Sequence, residues 1–208
     1  MTLAAYETMV HHHKDVVRAL SDTQRSVVTF GGFGELGYED EDDVLHTCAC
    51  ELDRFDPVDT IINTATLLTT GFRMGIAMIY ALAKERGFTT SGVHPSIALE
   101  DPSRHTVAPG VDHVFFVRDD TWGGCDVDGR PSNTLRVLLE VSSEFIALGG
   151  GHHTAQELRA FLMAGKRVRF HKVSMHKQTT ERWSNASGVR FDDHWGSAYR
   201  VWKCETHQ

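Results

Sequence analysis

The stretch "EFIALGGGHHTAQEL", residues 144–158, runs from an apolar segment through three glycines into a segment with helical spacing. Its first part, "EFIALGG", reads as a strand, because apolar residues follow one another as they do in strands covered on both faces. Gly149, Gly150 and Gly151 permit backbone torsions that a Cβ forbids, so the chain can turn sharply there. "TAQELRAFLMAG" then reads as a helix. The same join occurs twice upstream. "SVVTF", residues 26–30, ends in "GGFGELG", and an acid-led helix, "EDEDDVLHTCACELDRF", follows with its carboxylates at the positive N-terminal end. "TIINTATLLTTG", residues 60–71, ends in the helix "FRMGIAMIYALAKERG", for which Gly87 is the C′ residue.

The remaining segments keep this rhythm. "FTTSGVHP", "VDHVFFVRDD" and "KRVRFHKVS" read as strands, and "SNTLRVLLEVSS" as a capped helix. Residues 5–20 read as a helix with Met9, Val16, Val17 and Leu20 inward. Strands alternating with helices predict an α/β fold, a doubly wound and mostly parallel sheet with helices on both faces. Ligands of such sheets lie at the carboxyl ends of the strands, where these glycine turns collect. The chain is read as one nucleotide-binding domain over residues 1–208, with an N-terminal helix within 1–24. Residues 181–208 form a polar, aromatic extension that reads as a hairpin, a lid or an interface.

Composition narrows the function. The 208 residues suffice to bury a proper core, and a formal net charge of −7 argues against a nucleic-acid or acidic-membrane surface. A local basic pocket for one small anion is still allowed. The four cysteines have neither Cys-x-x-Cys spacing nor a disulfide framework, and read as reduced thiols. The first residues lack the basic start and apolar core of a signal peptide, and no run is long enough to span a membrane. The expected location is the cytoplasm.

Three glycine turns are the candidate sites. Gly32, Gly34 and Gly37 form G-x-G-x-x-G after a strand and before a helix, where backbone N–H groups can approach a phosphate. A tight turn explains them as well. An ordinary dinucleotide site also wants a carboxylate at the end of the second strand, and "LLTTG" offers none. Gly71, Arg73, Met74 and Gly75 open the next helix. Arg73 can meet an anion there; alternatively Gly75 serves close packing and Arg73 faces solvent. In the third turn, Gly150, Gly151 and Thr154 form an anion nest, with His153 beside it and Glu157 one turn in. Thr154-x-x-Glu157 equally fits a capping box, in which each side chain satisfies a backbone donor. The two roles are compatible. Thirteen histidines raise a metal hypothesis, but no ligand spacing supports one, and "HHH" at 11–13 reads as rings spread around a solvated helix. No G-x-S-x-G nucleophile elbow is present.

Taken together, these residues resemble the lonely-guy-type phosphoribohydrolases, often described as lysine-decarboxylase-like, within a Rossmann-like superfamily of nucleotide sensors. "FRMGIAMIYALAKERGFTTSGVHP" resembles the family's G-x-M-G helix and the G-V-x-P strand after it. "SSEFIALGGGHHTAQEL" resembles its S-D-A-F-I-A-L-P-G-G-x-G-T-x-x-E-L signature. The resemblance covers residues 26–174. It implies hydrolysis of the N-glycosidic bond of a nucleoside 5′-monophosphate to base and ribose 5-phosphate, without cofactor or metal, in a homodimer. It places the phosphate on Gly150, Gly151 and Thr154, with Arg73, Gly32 and Gly34 on the other side, and the ribose against Glu157. Gly149 stands where the family has proline, and His153 where it has glycine. The family's catalytic arginine falls at Thr134-Leu135, so Arg136 is the nearest candidate for a second catalytic group. The displaced arginine favours another reading, a non-catalytic nucleotide sensor or a carrier resembling the molybdenum-cofactor carriers that share this fold. A third reading is an interaction subunit whose glycine turns are structural.

Overall fold

The computed structural model describes residues 10–126, 128–187 and 195–206. Seven strands form one sheet: β1 (Val10–His11), β2 (Ser26–Gly32), β3 (Thr60–Thr64), β5 (Thr89–Pro95), β7 (His113–Val117), β8 (Ser142–Leu148) and β9 (Arg167–His171). Their spatial order is β1-β7-β5-β3-β2-β8-β9, and every neighbouring pair is parallel. A second, two-stranded antiparallel sheet pairs β4 (Leu68–Thr69) with β6 (His105–Thr106). The helices are α1 (His13–Ser21), α2 (Glu41–Leu52), α3 (Ile79–Glu85), α4 (Asn133–Val141), α5 (His152–Met163), α6 (Lys177–Ser187) and α7 (Gly196–Thr206). This is the doubly wound, Rossmann-like α/β architecture.

Both faces of the sheet are buried, and alternate residues of each strand serve opposite cores. Val28, Phe30, Ile62, Ile146 and Leu148 pack with Val44, Cys48 and Leu52 of α2 and Ile79 and Ala83 of α3. Val27, Ile61, Phe145 and Ala147 pack on the other face with Leu20 of α1, Leu135 and Leu138 of α4, Leu158 and Phe161 of α5, and Ala198 of α7. That explains why apolar residues follow one another in the strands, as Val27 and Val28 or Ile61 and Ile62 do. Local signals set the helix starts. Asp40 caps α2 by accepting from the Asp43 N–H at 2.9 Å, and Ser132 caps α4 by accepting from that of Leu135 at 3.2 Å.

The order of the strands locates the ligand end. From β2 the chain winds outward through β3, β5 and β7, then returns to place β8 on the other side of β2. The direction of winding reverses between β2 and β8, so the segments leaving their carboxyl ends go to opposite faces of the sheet and open a crevice.

Four expected elements differ. The N-terminal helix starts at His13, because Val10 and His11 are drawn into parallel pairing with Phe116 and Val117. The three consecutive histidines therefore do not ring a helix, and Met9 lies outside the described residues. The strand expected over 60–71 stops at Thr64, whose hydroxyl turns the chain by accepting from the Thr66 N–H at 3.3 Å; β4 then joins the small sheet. The helix expected from residue 72 opens instead as a 3-10 turn, Gly75–Met78. There the Ile76 N–H is held by the Phe33 carbonyl at 2.7 Å. Finally, part of the tail is helical: α6 and α7 occupy it, and residues 188–194 are outside the described residues.

Gly75 explains that 3-10 turn. Its φ is +54°, and a Cβ there would lie 2.0 Å from the Gly34 carbonyl oxygen. Gly75→Ala is expected to destabilise the protein by about 3 kcal/mol or more in urea unfolding. Gly71→Ala, with φ +82° but open space around it, should cost only about 1 kcal/mol.

Candidate functional site

A cavity of about 650 Å³ opens at the crevice between β2 and β8. One wall is the turn after β2, from Gly31 to Leu36; another is the start of α5, from Gly151 to Thr154 with Glu157. The residues after β3, the small sheet and Trp122 contribute further wall, and Trp183 of α6 and Ser197 and Arg200 of α7 complete it.

The two glycine turns are tied together. The Thr154 hydroxyl donates to the Gly32 carbonyl at 3.0 Å. Gly150 sits at φ +124°, and a Cβ there would lie 2.5 Å from Thr154. The turn is further held by α7: the Ala198 N–H donates to the Gly150 carbonyl at 3.1 Å. Helix α5 thus begins at His152 with Gly151 as its N-cap and no side-chain cap. The capping box does not form, because Thr154 already lies inside the first turn and its proton goes to β2. The first N–H groups of α5 have no partner within the helix and carry its positive end.

Glu157 is buried, yet no hydrogen bond or ion pair reaches its carboxyl group among the described residues. Burial alone pushes its pKa up to about 8. At neutral pH it is mostly a neutral acid facing the cavity. His153, on the cavity rim, is held below the ordinary histidine range, chiefly by desolvation, with His152 adding to it.

Of the residues singled out by sequence, Gly32, Gly34, Gly151, His153, Thr154 and Glu157 line this one cavity, with Gly150 directly behind Thr154. Others lie elsewhere. Arg73 is ion-paired with Glu41, its Nε donating at 3.0 Å, and it packs over Gly37. Neither it nor Met74, which is exposed, lines the cavity. Gly71 forms an open turn, and Gly75 packs against the Phe33 and Gly34 carbonyls. Arg136 lines a separate hollow with Asp119, Asp126 and Arg130, so it is not brought together with Glu157. Conversely, Glu35, Thr69, Arg104, His105, Trp122 and Arg200 line the cavity without having been singled out. No motif marks them, since they come from separate loops, the small sheet and α7. Among the described residues no cluster of His, Cys, Asp and Glu is arranged to hold a metal, and no helix is long and apolar enough to cross a membrane.

No family model and no curated protein sequence matches the chain. Among solved structures, the Moco carrier protein from Chlamydomonas reinhardtii is similar over 88% of this chain and 98% of its own, with 19% identity and a TM-score of 0.48. The protein TM1055 is similar over 80% of this chain and 83% of its own, with 16% identity and a TM-score of 0.49.

The lone carboxyl group has a measurable signature. Because the folded-state pKa of Glu157 lies above that of an unfolded glutamate, the folded protein binds this proton more tightly. Stability is therefore lost as pH rises from about 4.5 to about 8. Glu157→Gln should remove this slope and be more stable than wild type at pH 9 by a few kcal/mol, with little difference near pH 4. Urea unfolding at both pH values checks it.

Proposed function

We propose that the cavity binds a nucleoside 5′-monophosphate, or a closely related phosphorylated ligand, and that the protein hydrolyses its N-glycosidic bond to base and ribose 5-phosphate. The observation that carries this reading is Glu157, a buried acid without a partner among the described residues, one turn into the helix whose N-terminus lines the same cavity. A phosphate on the first turn of α5 meets N–H groups aimed at it. Gly150, Gly151 and Thr154 shape that turn, and Gly32 and Gly34 form the facing wall. The sugar then lies toward Glu157.

The protonation state of Glu157 suits the reaction. As the acid, it donates its proton to the departing base nitrogen while the C1′–N bond breaks. The carboxylate left behind sits beside a sugar that has become cationic, where negative charge is stabilising. Water adds to C1′, and its proton returns to the carboxylate. One group thus supplies proton, countercharge and base in turn. Arg136 has no part in this scheme, since it faces another hollow. That same placement favours a second reading, a non-catalytic nucleotide sensor or a molybdenum-cofactor-carrier-like binding protein. The reading includes a cytoplasmic homodimer, following the family resemblance.

The two readings separate in one experiment. Incubation with a panel of nucleoside monophosphates is followed by thermal shift and by base release. Base release that falls by about a hundredfold or more in Glu157→Gln supports the hydrolase. A thermal shift without turnover supports the sensor or carrier. Absence of both sinks the nucleotide reading altogether.

A further inference from the structure

A second group of side chains in the cavity comes from outside the main sheet. Thr69 of β4 and His105 of β6 are both buried, and Glu35 reaches them from the turn after β2. The Thr69 hydroxyl donates to Glu35 Oε1 at 2.6 Å, and Thr69 Oγ lies 3.2 Å from His105 Nδ1. A threonine hydroxyl has one proton, and here Glu35 takes it. The contact with His105 therefore requires Nδ1–H to donate to Thr69. A neutral imidazole with its proton on Nδ1 presents a bare lone pair at Nε2. His105 Nε2 has no hydrogen-bond partner among the described residues, and His105 lines the cavity.

Beside this acceptor stands an unusually placed aromatic ring. Trp122 lines the same cavity while 48% exposed. Its ring centroid lies 5.0 Å from that of His105, with the planes at 55°. A half-exposed indole wall next to a single oriented acceptor suits a flat ligand that stacks and donates one hydrogen bond.

We propose that Trp122 and His105 form a recognition subsite for a planar nitrogen heterocycle bearing an amino group, stacked on Trp122 and donating to His105 Nε2. This rests on the nucleotide reading above, and the heterocycle is then the base of that nucleotide. Thr69 and Glu35 are positioning residues: they set the tautomer of His105 and touch the base only through it. The subsite prefers bases with an amine over analogues without one.

The test uses calorimetric titration of the full chain or, where turnover occurs, kcat/KM. The ligands are AMP, GMP, CMP and ribose 5-phosphate. The tightest nucleotide is then compared with its analogue lacking only the exocyclic amine, which for AMP is purine riboside 5′-monophosphate. Wild type should prefer the amine by about tenfold. Trp122→Ala should weaken every nucleotide by about tenfold and leave ribose 5-phosphate unchanged. His105→Phe, which retains a ring against Trp122, should abolish the preference for the amine. Thr69→Val should reduce that preference while ribose 5-phosphate still binds as in wild type, which a general loss of structure would not allow. Should nucleotides and ribose 5-phosphate bind while Trp122→Ala and His105→Phe change neither affinity nor preference, the subsite is overturned and the nucleotide reading stands. Should neither nucleotides nor ribose 5-phosphate bind to wild type, the nucleotide reading falls and the subsite falls with it.

Discussion

The hydrogen bond from Thr154 to the Gly32 carbonyl joins two turns that belong to strands distant in sequence but adjacent in the sheet. The cavity depends on that join. It brings the start of α5 against the end of β2, and the join is possible only because side chains are missing on both sides. A Cβ on Gly31 would meet Phe145 at 2.5 Å and Thr154 at 3.2 Å, and one on Gly32 would lie 2.2 Å from the Tyr38 hydroxyl. That hydroxyl in turn donates to the Leu148 carbonyl at 3.2 Å, which holds β8 in place from the other side. Glycine here serves packing first. The opening toward a ligand is what the packing leaves over.

Against this close-packed background, Glu157 is an exception. The other buried carboxylates among the described residues all have partners: Asp119 accepts from the Thr134 N–H at 2.8 Å and from the Thr121 N–H at 3.0 Å and hydroxyl at 2.8 Å. Glu51 is held by Arg54, by Arg169 at 2.9 Å and by His171 at 2.8 Å, and its pKa is lowered by those partners despite the opposing effect of burial. Glu144 is held by Arg54 at 2.8 Å. Among the described residues every other buried acid is thus held by cations or by N–H and O–H donors, and Glu157 by neither. A position that violates the rule obeyed by its neighbours is where selection for something other than stability is expected.

What was legible in the sequence followed local pattern. The apolar runs of β2, β3 and β8, the acid-led start of α2 and the Ser132 cap of α4 are set by residues a few positions apart, and from them the alternating fold can be read. The phosphate-turn candidates around Gly150 and Glu157 were legible for the same reason. Partners far along the chain were not. Arg73 stands in a glycine turn, but Glu41 is where its charge is spent. Gly75 resembles a ligand-binding glycine until the Gly34 carbonyl is seen against it. The capping box at Thr154 gives way to a bond that spans most of the sheet region. His105 and Trp122 carry no motif at all, since one comes from the small sheet and the other from a connecting segment.

The hook of α7 on the Gly150 carbonyl bears on how the protein is made. All seven strands of the main sheet precede α7 in the chain, so a nascent polypeptide can assemble its sheet while the glycine turn still lacks its last neighbour. Along the chain the scaffold comes first, and the cavity wall is complete only with Ser197 and Arg200 of α7. A chain cut short of α7 would keep every strand of the main sheet yet lose the Ala198 hook on Gly150 and the Ser197 and Arg200 wall of the cavity.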